Sequence, residues 1–489
     1  MKIAFVSPEA FPFAKTGGLA DVAHSLPLAL AARGHEVRLF MPRYYRVDRG
    51  KFGLVPFPAP LGVPMGDGEK WAAILESRAI PGVVTHFIEH DLYFGRDGLY
   101  DDGRYAYGDN AERFIFFCRA VMQAMKALRW LPDIVHCNDW QTGVLPLLRM
   151  TAYRDDPDFS RTATVMSVHN AGYQGVFPSG VLSLAGCAGD RTAMEGATLN
   201  GQANFLKAGL VHSGAVTTVS RTHRDELMRR EYGYELAGVF KELADSFFGI
   251  TNGVDYGTWD PETDPFIPAH FSAASLAGKP ACTGALRARM RLADGDGAPV
   301  LGTVTRVTYQ KGMDVLADTL ELLLVAAPFQ FVMLGSGEER IIARFERLRR
   351  LFPERVGLYW GYDEGLAHLV EAGSDIYLMP SRYEPCGLNQ MYSLRYGTIP
   401  VVRATGGLDD TVTQWNPREG TGNGFKFREL NRGELYHAIR QALRTRMNGD
   451  EWRTLMNNAM SYRRTWDDAV PEYERVYEFA LGKPRPRQK

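Results

Sequence analysis

Charged residues and glycines follow several apolar runs of this chain, where they could hold an anionic ligand. The segment F-A-K-T-G-G-L-A-D-V, Phe13–Val22, lies between a predicted strand, Lys2–Ser7, and a predicted helix, Leu19–Ala32. A strand-to-helix turn can use glycine, but it has no need of Lys15. Gly18 would let the backbone approach a ligand, the helix start offers N–H groups, and a lysine suits phosphate. The alternative is an ordinary turn with a solvated lysine.

A second cationic segment is T-R-V-T-Y-Q-K-G-M-D at Thr305–Asp314. Arg306 ends a predicted strand, and Lys311 precedes a helical pattern. Two cations beside a helix start predict another anion site. The alternative is a basic pair that faces solvent. Neither segment contains the G-x-x-x-x-G-K-[ST] or G-x-G-x-x-G motif of common nucleotide-binding loops.

A third segment, M-P-S-R-Y-E-P-C-G-L-N-Q at Met379–Gln390, follows a predicted strand and leads into a predicted helix. Glu384 could accept hydrogen bonds from sugar hydroxyls. The N–H groups of Cys386, Gly387 and Leu388 could face a sugar or a phosphate. The alternatives are a helix-capping role for the acid and simple packing for the cysteine.

Two polar clusters end strands of the N-terminal half: H-C-N-D-W at His136–Trp140 and S-V-H-N-A-G-Y at Ser167–Tyr173. We therefore expect Asp139 and His169 on the same rim of the sheet. Both side chains could bind hydroxyls, and the aromatic residues that end the two segments could stack on sugar faces. A single histidine at a strand end is more often structural, so this alternative stays open.

Short apolar runs alternate with helical patterns along the chain, and this alternation predicts an α/β fold of doubly wound parallel sheets. Most runs are continuously apolar, as strands buried on both faces are. The predicted strands are Lys2–Ser7, Glu36–Met41, Ala72–Glu76, Val83–Ile88, Ile134–Cys137, Thr164–Val168, Ala215–Val219, Val300–Thr305, Gln330–Leu334, Val356–Trp360, Asp375–Met379 and Pro400–Arg403.

A stretch rich in proline and glycine, Asn252–Ala298, interrupts the alternation, and we place the domain junction there. The predicted domains are 1–255, 256–465 and a C-terminal helix with a frayed basic tail at 466–489. Each of the two large domains is predicted to be Rossmann-like. Open α/β sheets bind ligands outside the carboxyl ends of their strands, so two such domains predict a cleft with a site.

Bulk composition excludes several classes of protein. With 56 Lys and Arg against 57 Asp and Glu the net charge is -1, so no global field would attract nucleic acid or an anionic membrane. The N-terminus does not read as a signal peptide, and no apolar window is long enough to cross a bilayer. The 5 cysteines are widely spaced without a C-x-x-C pair, which favours a reduced, cytoplasmic compartment and gives no zinc motif.

The motifs also support a resemblance when they are taken in order. K-T-G-G-L-A-D-V, H-C-N-D-W, V-H-N-A-G-Y-Q-G, N-G-V-D-Y, R-V-T-Y-Q-K-G-M-D, S-R-Y-E-P-C-G-L-N-Q and T-G-G-L-D-D-T-V occur in sequence. In this order the chain resembles bacterial glycogen synthases and plant starch synthases, from its first residue to about residue 480. Any one motif is weak evidence, whereas the ordered set is strong.

The resemblance implies a GT-B fold, with two Rossmann-like domains facing a central cleft. It implies a retaining transfer of glucose from ADP-glucose to the non-reducing end of an α-1,4-glucan, without a metal or another cofactor. It also implies that the last helix, near Trp466–Leu481, crosses back onto the N-terminal domain. No nucleic acid or membrane is implied as a partner, and the oligomeric state stays open.

Site residues are carried over from the family position by position. Lys15 matches a contact to the donor phosphates, Arg306 and Lys311 match the pair that neutralises the leaving diphosphate, and Tyr362 matches a tyrosine near the adenine. The residues implied to be catalytic are Glu384, His169, Asp139, Arg306 and Lys311. The residues implied to bind substrate are Lys15, Gly18, Asp21, Asn170, Asn252, Tyr362, Cys386, Gly387 and Leu388.

Three positions depart from the family or its wider relatives. Asn389 stands where many bacterial members have threonine, and Asn138 stands where histidine is common. Tyr392 stands where related glycosyltransferases carry the second acid of an E-x7-E pattern, which usually holds a ribose. Ribose recognition must therefore differ, and the synthases as a family share this lack.

Other functions remain open at this point. The chain could use UDP-glucose or another acceptor with the same fold. A glucan phosphorylase shares the architecture but needs pyridoxal phosphate held by a lysine. From a different class, the chain could be a glucan-binding protein without activity, although the presence of all the expected charges argues against this.

Overall fold

The computed structural model describes residues 1–187, 189–294 and 297–482, and within them the chain divides into two units. The first unit contains Met1–Val219, Arg224–Ile250 and the C-terminal helix. The second contains Ser220–His223 and Thr251–Thr465. The basic tail, 483–489, for which the sequence predicts fraying, lies outside the described residues.

The strands of the two units include every strand predicted from the sequence, with shifts of a few residues at most ends. They are β1 (Lys2–Val6), β2 (Glu36–Pro42), β3 (Val55–Pro56), β4 (Leu61–Met65), β5 (Gly68–Ile80), β6 (Val83–Glu89), β7 (Ile134–Asn138), β8 (Ala163–Val168), β9 (Val176–Pro178), β10 (Thr198–Leu199), β11 (Gln202–Asn204), β12 (Ala215–Thr218), β13 (Phe247–Gly249), β14 (Val300–Val307), β15 (Gln330–Gly337), β16 (Val356–Trp360), β17 (Ile376–Met379), β18 (Ile399–Arg403) and β19 (Phe425–Phe427).

The α-helices occupy connections between these strands and the segment that follows β19. They are α1 (Gly18–Ala32), α2 (Asp91–Phe94), α3 (Asn110–Ala127), α4 (Val144–Met150), α5 (Arg191–Ala197), α6 (Phe205–His212), α7 (Arg221–Leu227), α8 (Arg230–Gly233), α9 (Ala237–Glu242), α10 (Lys279–Met290), α11 (Met313–Ala326), α12 (Glu339–Leu351), α13 (Glu364–Gly373), α14 (Asn389–Arg395), α15 (Gly406–Thr411), α16 (Arg432–Met447), α17 (Gly449–Ser461) and α18 (Trp466–Gly482).

The first unit is built on one large sheet whose strand order is β13-β12-β8-β7-β1-β2-β6-β5-β3, with β4 paired to β5. From β13 to β6 all the pairs are parallel. The order reverses at β1, because the chain builds outward from it to β2 on one side and to β7 on the other. The inner strands are continuously apolar and fully buried, as shown by Ile3, Phe5 and Val6.

One edge of this sheet differs from the sequence prediction of parallel strands. Strand β5 pairs antiparallel with β6, β3 and β4. The tight turn between β4 and β5 begins at Gly66, whose φ of 59° favours glycine. A hairpin at a sheet edge can expose one face to water, which fits the alternating burial of Leu61–Met65.

The second unit is built on a fully parallel sheet with the order β16-β15-β14-β17-β18-β19. It is a Rossmann-type order, with the reversal between β14 and β17. Its core includes Leu301, Phe331 and Leu378, all fully buried. The predicted Rossmann-like halves therefore each correspond to a sheet whose parallel strands have one reversal point.

The C-terminal helix α18 packs within the first unit. The Tyr477 hydroxyl lies 2.9 Å from Nδ1 of His136 on β7, and both side chains are fully buried. On the surface, Arg33 and His35 pair with Glu474. No helix among the described residues is long and apolar enough to cross a membrane.

Candidate functional site

Several of the candidate site residues lie after strands that flank the reversal point of each sheet. In the first unit, the segment that bears Lys15 follows β1, and Asp139 follows β7. In the second unit, Arg306 lies near the end of β14, and the segment that bears Glu384 follows β17. Connections leave a reversal point in opposite directions, so the carboxyl ends of its two strands are uncovered and can hold a ligand.

Glu9 holds the glycine-rich segment after β1 in place. Its carboxylate accepts hydrogen bonds from the backbone N–H of Thr16 and, at 3.0 Å, from the Thr16 hydroxyl. Burial raises the pKa of Glu9, and these hydrogen bonds oppose the rise. Sequence reasoning missed this residue. The available signal was an acid in the short segment after the first strand, which ends at Val6.

Neither the backbone conformation nor the packing of the chain requires glycine at the two glycine positions of this segment. The φ of Gly17 is −155°, an extended value that any residue adopts. A Cβ atom at Gly17 or at Gly18, the first residue of α1, would meet nothing within 4 Å. Packing and backbone strain therefore do not explain glycine here. The open space over the start of α1 favours close approach of a ligand.

Lys15 and Asp21, both predicted to bind substrate, are paired with each other. The Lys15 Nζ lies 2.7 Å from Asp21 Oδ1, and the two side chains are 47% and 31% exposed. An exposed pair of this kind contributes little to stability, since median values are about 0–1 kcal/mol. A phosphate could therefore compete with Asp21 for the ammonium group at little cost.

Asp139 and His169 are brought together, as their positions on neighbouring strand ends predict. The backbone N–H of His169 donates to Asp139 Oδ1 at 2.7 Å. Burial raises the pKa of the Asp139 carboxyl to about 7, although the N–H groups of His169 and Asn170 lower it. Asp139 also has a φ of 56°, a strained conformation for a residue other than glycine that costs about 1–3 kcal/mol.

His169 is a neutral imidazole in this setting, because burial lowers its pKa to about 3. Asn138 donates its Nδ2 to the Val6 carbonyl oxygen of β1, so its Oδ1 must face His169 Nε2, 2.9 Å away. Nε2 therefore carries the hydrogen and Nδ1 remains an acceptor. The Asn170 side chain accepts from the Gly172 N–H at 3.0 Å.

The two aromatic residues of these motifs differ in exposure. Trp140 is buried, and its ring packs edge-on against Phe114 and beside Phe177. The expectation that Trp140 stacks on a sugar is therefore wrong, because its faces belong to the core. Tyr173 is 59% exposed and keeps that possibility.

In the second unit, Lys311 and Glu384 form an ion pair between two motif segments. The Lys311 Nζ lies 2.6 Å from Glu384 Oε2, and the side chains are 18% and 8% exposed. The Ser381 hydroxyl donates to the same oxygen at 2.9 Å. Arg306 is exposed, and its Nη2 lies 3.4 Å from Gln310 Oε1. Glu384 is therefore held as an anion partner rather than as a helix cap.

The C-G-L loop that follows Glu384 is tightly built. Burial raises the pKa of the Cys386 thiol to about 12, and contact with the backbone N–H of Asn252 lowers it. Gly387 has a φ of 71°, and a Cβ there would lie 2.5 Å from Gln390 Oε1. Leu388 precedes α14, which has only 7 residues. The thiol is therefore a packed neutral group, and the short helix offers a weaker anion site than the sequence suggested.

A further cation next to this site was not identified from the sequence. Arg382 forms a two-pronged ion pair with Asp314, at 2.6 and 2.8 Å, and lies over the ring of Tyr309. This contact joins the R-V-T-Y-Q-K-G-M-D and S-R-Y-E-P-C-G-L-N-Q segments a second time. The sequence feature that could have indicated this ion pair is the presence of an arginine in one motif and an aspartate in the other.

Tyr362 and Tyr392 have very different surroundings. The Tyr362 side chain is 80% exposed. It follows β16, the edge strand, which lies about 10 Å from β14 because two strand spacings separate them. Its contact with an adenine stays a prediction. Tyr392 stacks on Trp259 at 4.1 Å, and the other face of that indole covers His368. The position of the absent second acid is thus filled by aromatic packing.

Two family models match the chain. The model described as the starch synthase catalytic domain matches residues 2–242, and the model described as glycosyl transferases group 1 matches residues 287–460. The first range ends before the junction stretch, Asn252–Ala298, and the second begins within it.

Similar proteins of known name match along their full lengths. Glycogen synthase 1 of Geobacter metallireducens is 44% identical over 487 residues, which cover 99% of this chain and 97% of that protein. Glycogen synthase of Koribacter versatilis is 44% identical, with 98% of each chain covered. Glycogen synthase of Thermotoga maritima is 42% identical, with 99% of each covered.

Solved structures show the same likeness. The catalytic domain of starch synthase IV from Arabidopsis thaliana, bound to ADP and acarbose, superposes with a TM-score of 0.89 at 30% identity and covers 98% of this chain and 99% of that one. Sucrose-phosphate synthase from Thermosynechococcus elongatus has a TM-score of 0.61 at 17% identity, with 98% of each chain covered. This second match concerns the fold alone.

The environment of Asp139 predicts an unusual titration. Carboxyl ¹³C signals of labelled aspartate, compared between the wild type and Asp139→Asn, should show one group with a pKa of about 7. Between pH 4 and 7 the folded protein holds a proton that the unfolded chain has lost. Over that range the wild type should therefore lose stability relative to Asp139→Asn as the pH rises. A normal carboxyl pKa, with parallel stability curves, would contradict this.

Proposed function

We propose that this chain, which belongs to the family of bacterial glycogen synthases and plant starch synthases, transfers glucose from ADP-glucose to the non-reducing end of an α-1,4-glucan. Membership makes the chain a retaining hexosyltransferase with the GT-B fold, so the predicted class and fold are confirmed. The observation that carries the proposal is the 44% identity to a glycogen synthase over 99% of this chain. Its partners are a nucleotide-sugar donor and a glucan acceptor.

Three cations are suited to neutralise the leaving group. When the bond between the anomeric carbon and the donor phosphate breaks, negative charge grows on the diphosphate. Lys15, with the open N-terminus of α1 beside it, is suited to one part of this charge. Arg306 and Lys311 are suited to another part, because Arg306 is exposed and Lys311 lies on the adjoining turn. We assign these three side chains to stabilisation of the departing ADP.

Retention of configuration allows two routes, and the surroundings of Glu384 favour one of them. Double displacement needs a carboxylate that attacks the anomeric carbon. Glu384 instead shares one oxygen with Lys311 and Ser381. We therefore favour attack of the acceptor hydroxyl on the face that ADP leaves, with the departing phosphate taking the hydroxyl proton. Glu384 would then hold Lys311 and accept from a sugar hydroxyl.

The cluster after β7 and β8 suits recognition of hydroxyl groups. His169 is neutral, and its Nδ1 is an acceptor, so it could accept from a hydroxyl of the donor sugar. Because the pKa of Asp139 is raised, its carboxyl could accept a hydrogen bond when ionised and donate one when protonated, both near neutral pH. We assign these two residues to orientation of the sugar rather than to proton transfer from the acceptor.

Two features of this proposal go beyond the family. The preference for ADP-glucose over UDP-glucose would depend on residues near Tyr362, whose ring is exposed. A cytoplasmic location is proposed from the 5 free cysteines, all buried as thiols. A glucan-binding protein without activity is the second candidate, and it is favoured only if turnover is absent.

The first test measures glucose incorporation into glycogen from labelled ADP-glucose and labelled UDP-glucose, side by side, with EDTA present. We expect transfer from ADP-glucose, unaffected by EDTA, and a loss of about 10–100-fold in Lys15→Ala because one phosphate contact is removed. Transfer from UDP-glucose alone would overturn the donor assignment. Glucan binding without transfer from either donor would support the inactive binding protein.

The second test replaces Arg306 by alanine. We expect kcat to fall by about 100-fold or more, because the side chain acts on charge that develops as the donor bond breaks, whereas KM for glucan should stay similar. The matched control is Arg347→Ala, which removes an exposed arginine paired with Glu321 in the same unit. A near-normal kcat in Arg306→Ala would contradict the assigned role.

A further inference from the structure

The two strands at the reversal point of the second sheet pair over only a short length. β14 and β17 are paired at Leu301 with Ile376 and at Gly302 with Tyr377, and their pairing ends there. β14 nevertheless continues to Val307. Backbone groups of β14 beyond Gly302 therefore need other partners on this side, because buried N–H and C=O groups are almost always hydrogen-bonded.

The hydroxyl of Tyr377 supplies those partners. The Val304 N–H donates to it at 2.9 Å, and it lies 3.2 Å from the Val304 carbonyl oxygen, to which it can donate. The side chain is fully buried. A tyrosine ring in a core needs no hydroxyl for packing, so the simple explanation of a core aromatic residue does not account for these bonds.

The same hydroxyl reaches the C-G-L segment. Asn389, the first residue of α14, donates its Nδ2 to the Tyr377 hydroxyl at 2.8 Å and lies 3.3 Å from the Val304 carbonyl oxygen. One hydroxyl thus joins the strand that bears Arg306 to the helix that follows Leu388. Asn389 is also one of the three positions at which the motifs depart from the commoner pattern.

A buried acid extends this connection beneath α14. The Ser393 hydroxyl lies 2.8 Å from Glu371 Oε2 and 2.8 Å from the Asn389 carbonyl oxygen. Glu371 is fully buried, and burial raises its pKa to about 8, so the acid is largely protonated near neutral pH. The Ser393 hydroxyl can donate to Glu371 Oε2 or to the Asn389 carbonyl oxygen. These contacts therefore fix the first turn of α14, and the neutral acid adds no buried charge.

We propose that Tyr377 is a positioning residue for glucosyl transfer, whose hydroxyl sets the place of the Arg306 strand relative to the segment that carries Glu384 and the C-G-L loop. The inference rests on the proposed function, since it assumes that these two segments act on one donor. Val304 lies two residues before Arg306, and Asn389 lies immediately after Leu388. Displacement of either segment would misplace the cations that meet the leaving diphosphate, and displacements of about 1 Å can lower a rate by about 100-fold.

Tyr377→Phe tests the proposal with no change of ring packing. We expect kcat for transfer from ADP-glucose to fall by about tenfold or more, because charge stabilisation in the transition state depends on position. KM for glucan should remain within about twofold of the wild type, since the acceptor does not meet this hydroxyl. The assay is the glucose incorporation described above, with both substrates varied.

The matched control is Tyr396→Phe. Tyr396 is also fully buried, lies just beyond the other end of α14, and donates to Asp264 rather than to a motif segment. Both variants lose one buried hydroxyl, so both should lower the midpoint of thermal unfolding. Only Tyr377→Phe should lower kcat. Equal kcat values for the two variants would show a purely structural role and overturn the proposal.

A double-mutant cycle with Asn389→Ala provides an independent readout. If Tyr377 and Asn389 act through one bridge, the double variant should lose little more kcat than the more impaired single variant. Additive losses in kcat would contradict the bridge, and normal kcat in Asn389→Ala would do so even if Tyr377→Phe failed to fold. If these tests fail while the wild type transfers glucose normally and Arg306→Ala is impaired, the inference about Tyr377 is overturned and the proposed function stands. No transfer by the wild type would overturn both.

Discussion

The two sheets share a constraint that decides where chemistry can occur. In a doubly wound parallel sheet, helices cover the faces and successive connections cover most strand ends, except where the strand order reverses. Here the reversals lie at β1 and β7 in one unit and at β14 and β17 in the other. The chain places its glycine-rich turn, its strained aspartate and its cations after these strands. Asn138 bonds across the first reversal and Tyr377 across the second.

Within the second unit the ion pair of Lys311 and Glu384 governs the rest of the site. A carboxylate with so little exposure would be costly without a partner. Lys311 and Ser381 provide that partner, and the nearby pair of Arg382 and Asp314 joins the same two segments again. Lys311, which we assign to the leaving diphosphate, thus also fixes Glu384. The position of each of these two charged groups therefore depends on the other.

Some of this could be predicted from the sequence because the signals are local. A continuous apolar run followed by a cation and a helix start located Arg306 and Lys311, and the same reasoning located Asp139 near His169. Glu9 was missed because its partner lies seven residues away, where the turn folds back on itself, and spacing does not encode that return. The antiparallel β4–β5 edge was missed although the G-D-G text at its turn favours a hairpin.

Other features depend on tertiary packing and leave no periodic signal. The position of Trp140 in its motif suggested that it could stack on a sugar, but its ring fills the core beside Phe114. The very short strands β3, β9 and β10 are too brief for an apolar pattern, since they form only when a neighbouring strand is already present. The network joins Tyr377 and Asn389 to Val304 of β14, which lies 73 residues before Tyr377, so only the folded chain brings it together.

The central claim is that Glu384 serves as the partner of Lys311 and not as the nucleophile of a covalent step. The most direct test is to incubate Glu384→Ala with ADP-glucose and sodium azide and to analyse the products for glucosyl azide. In a double displacement, azide could take the place of the missing carboxylate and give β-glucosyl azide with release of ADP. We expect no β-glucosyl azide and no recovery of ADP release with azide. Formation of β-glucosyl azide would contradict same-face attack and make Glu384 the nucleophile.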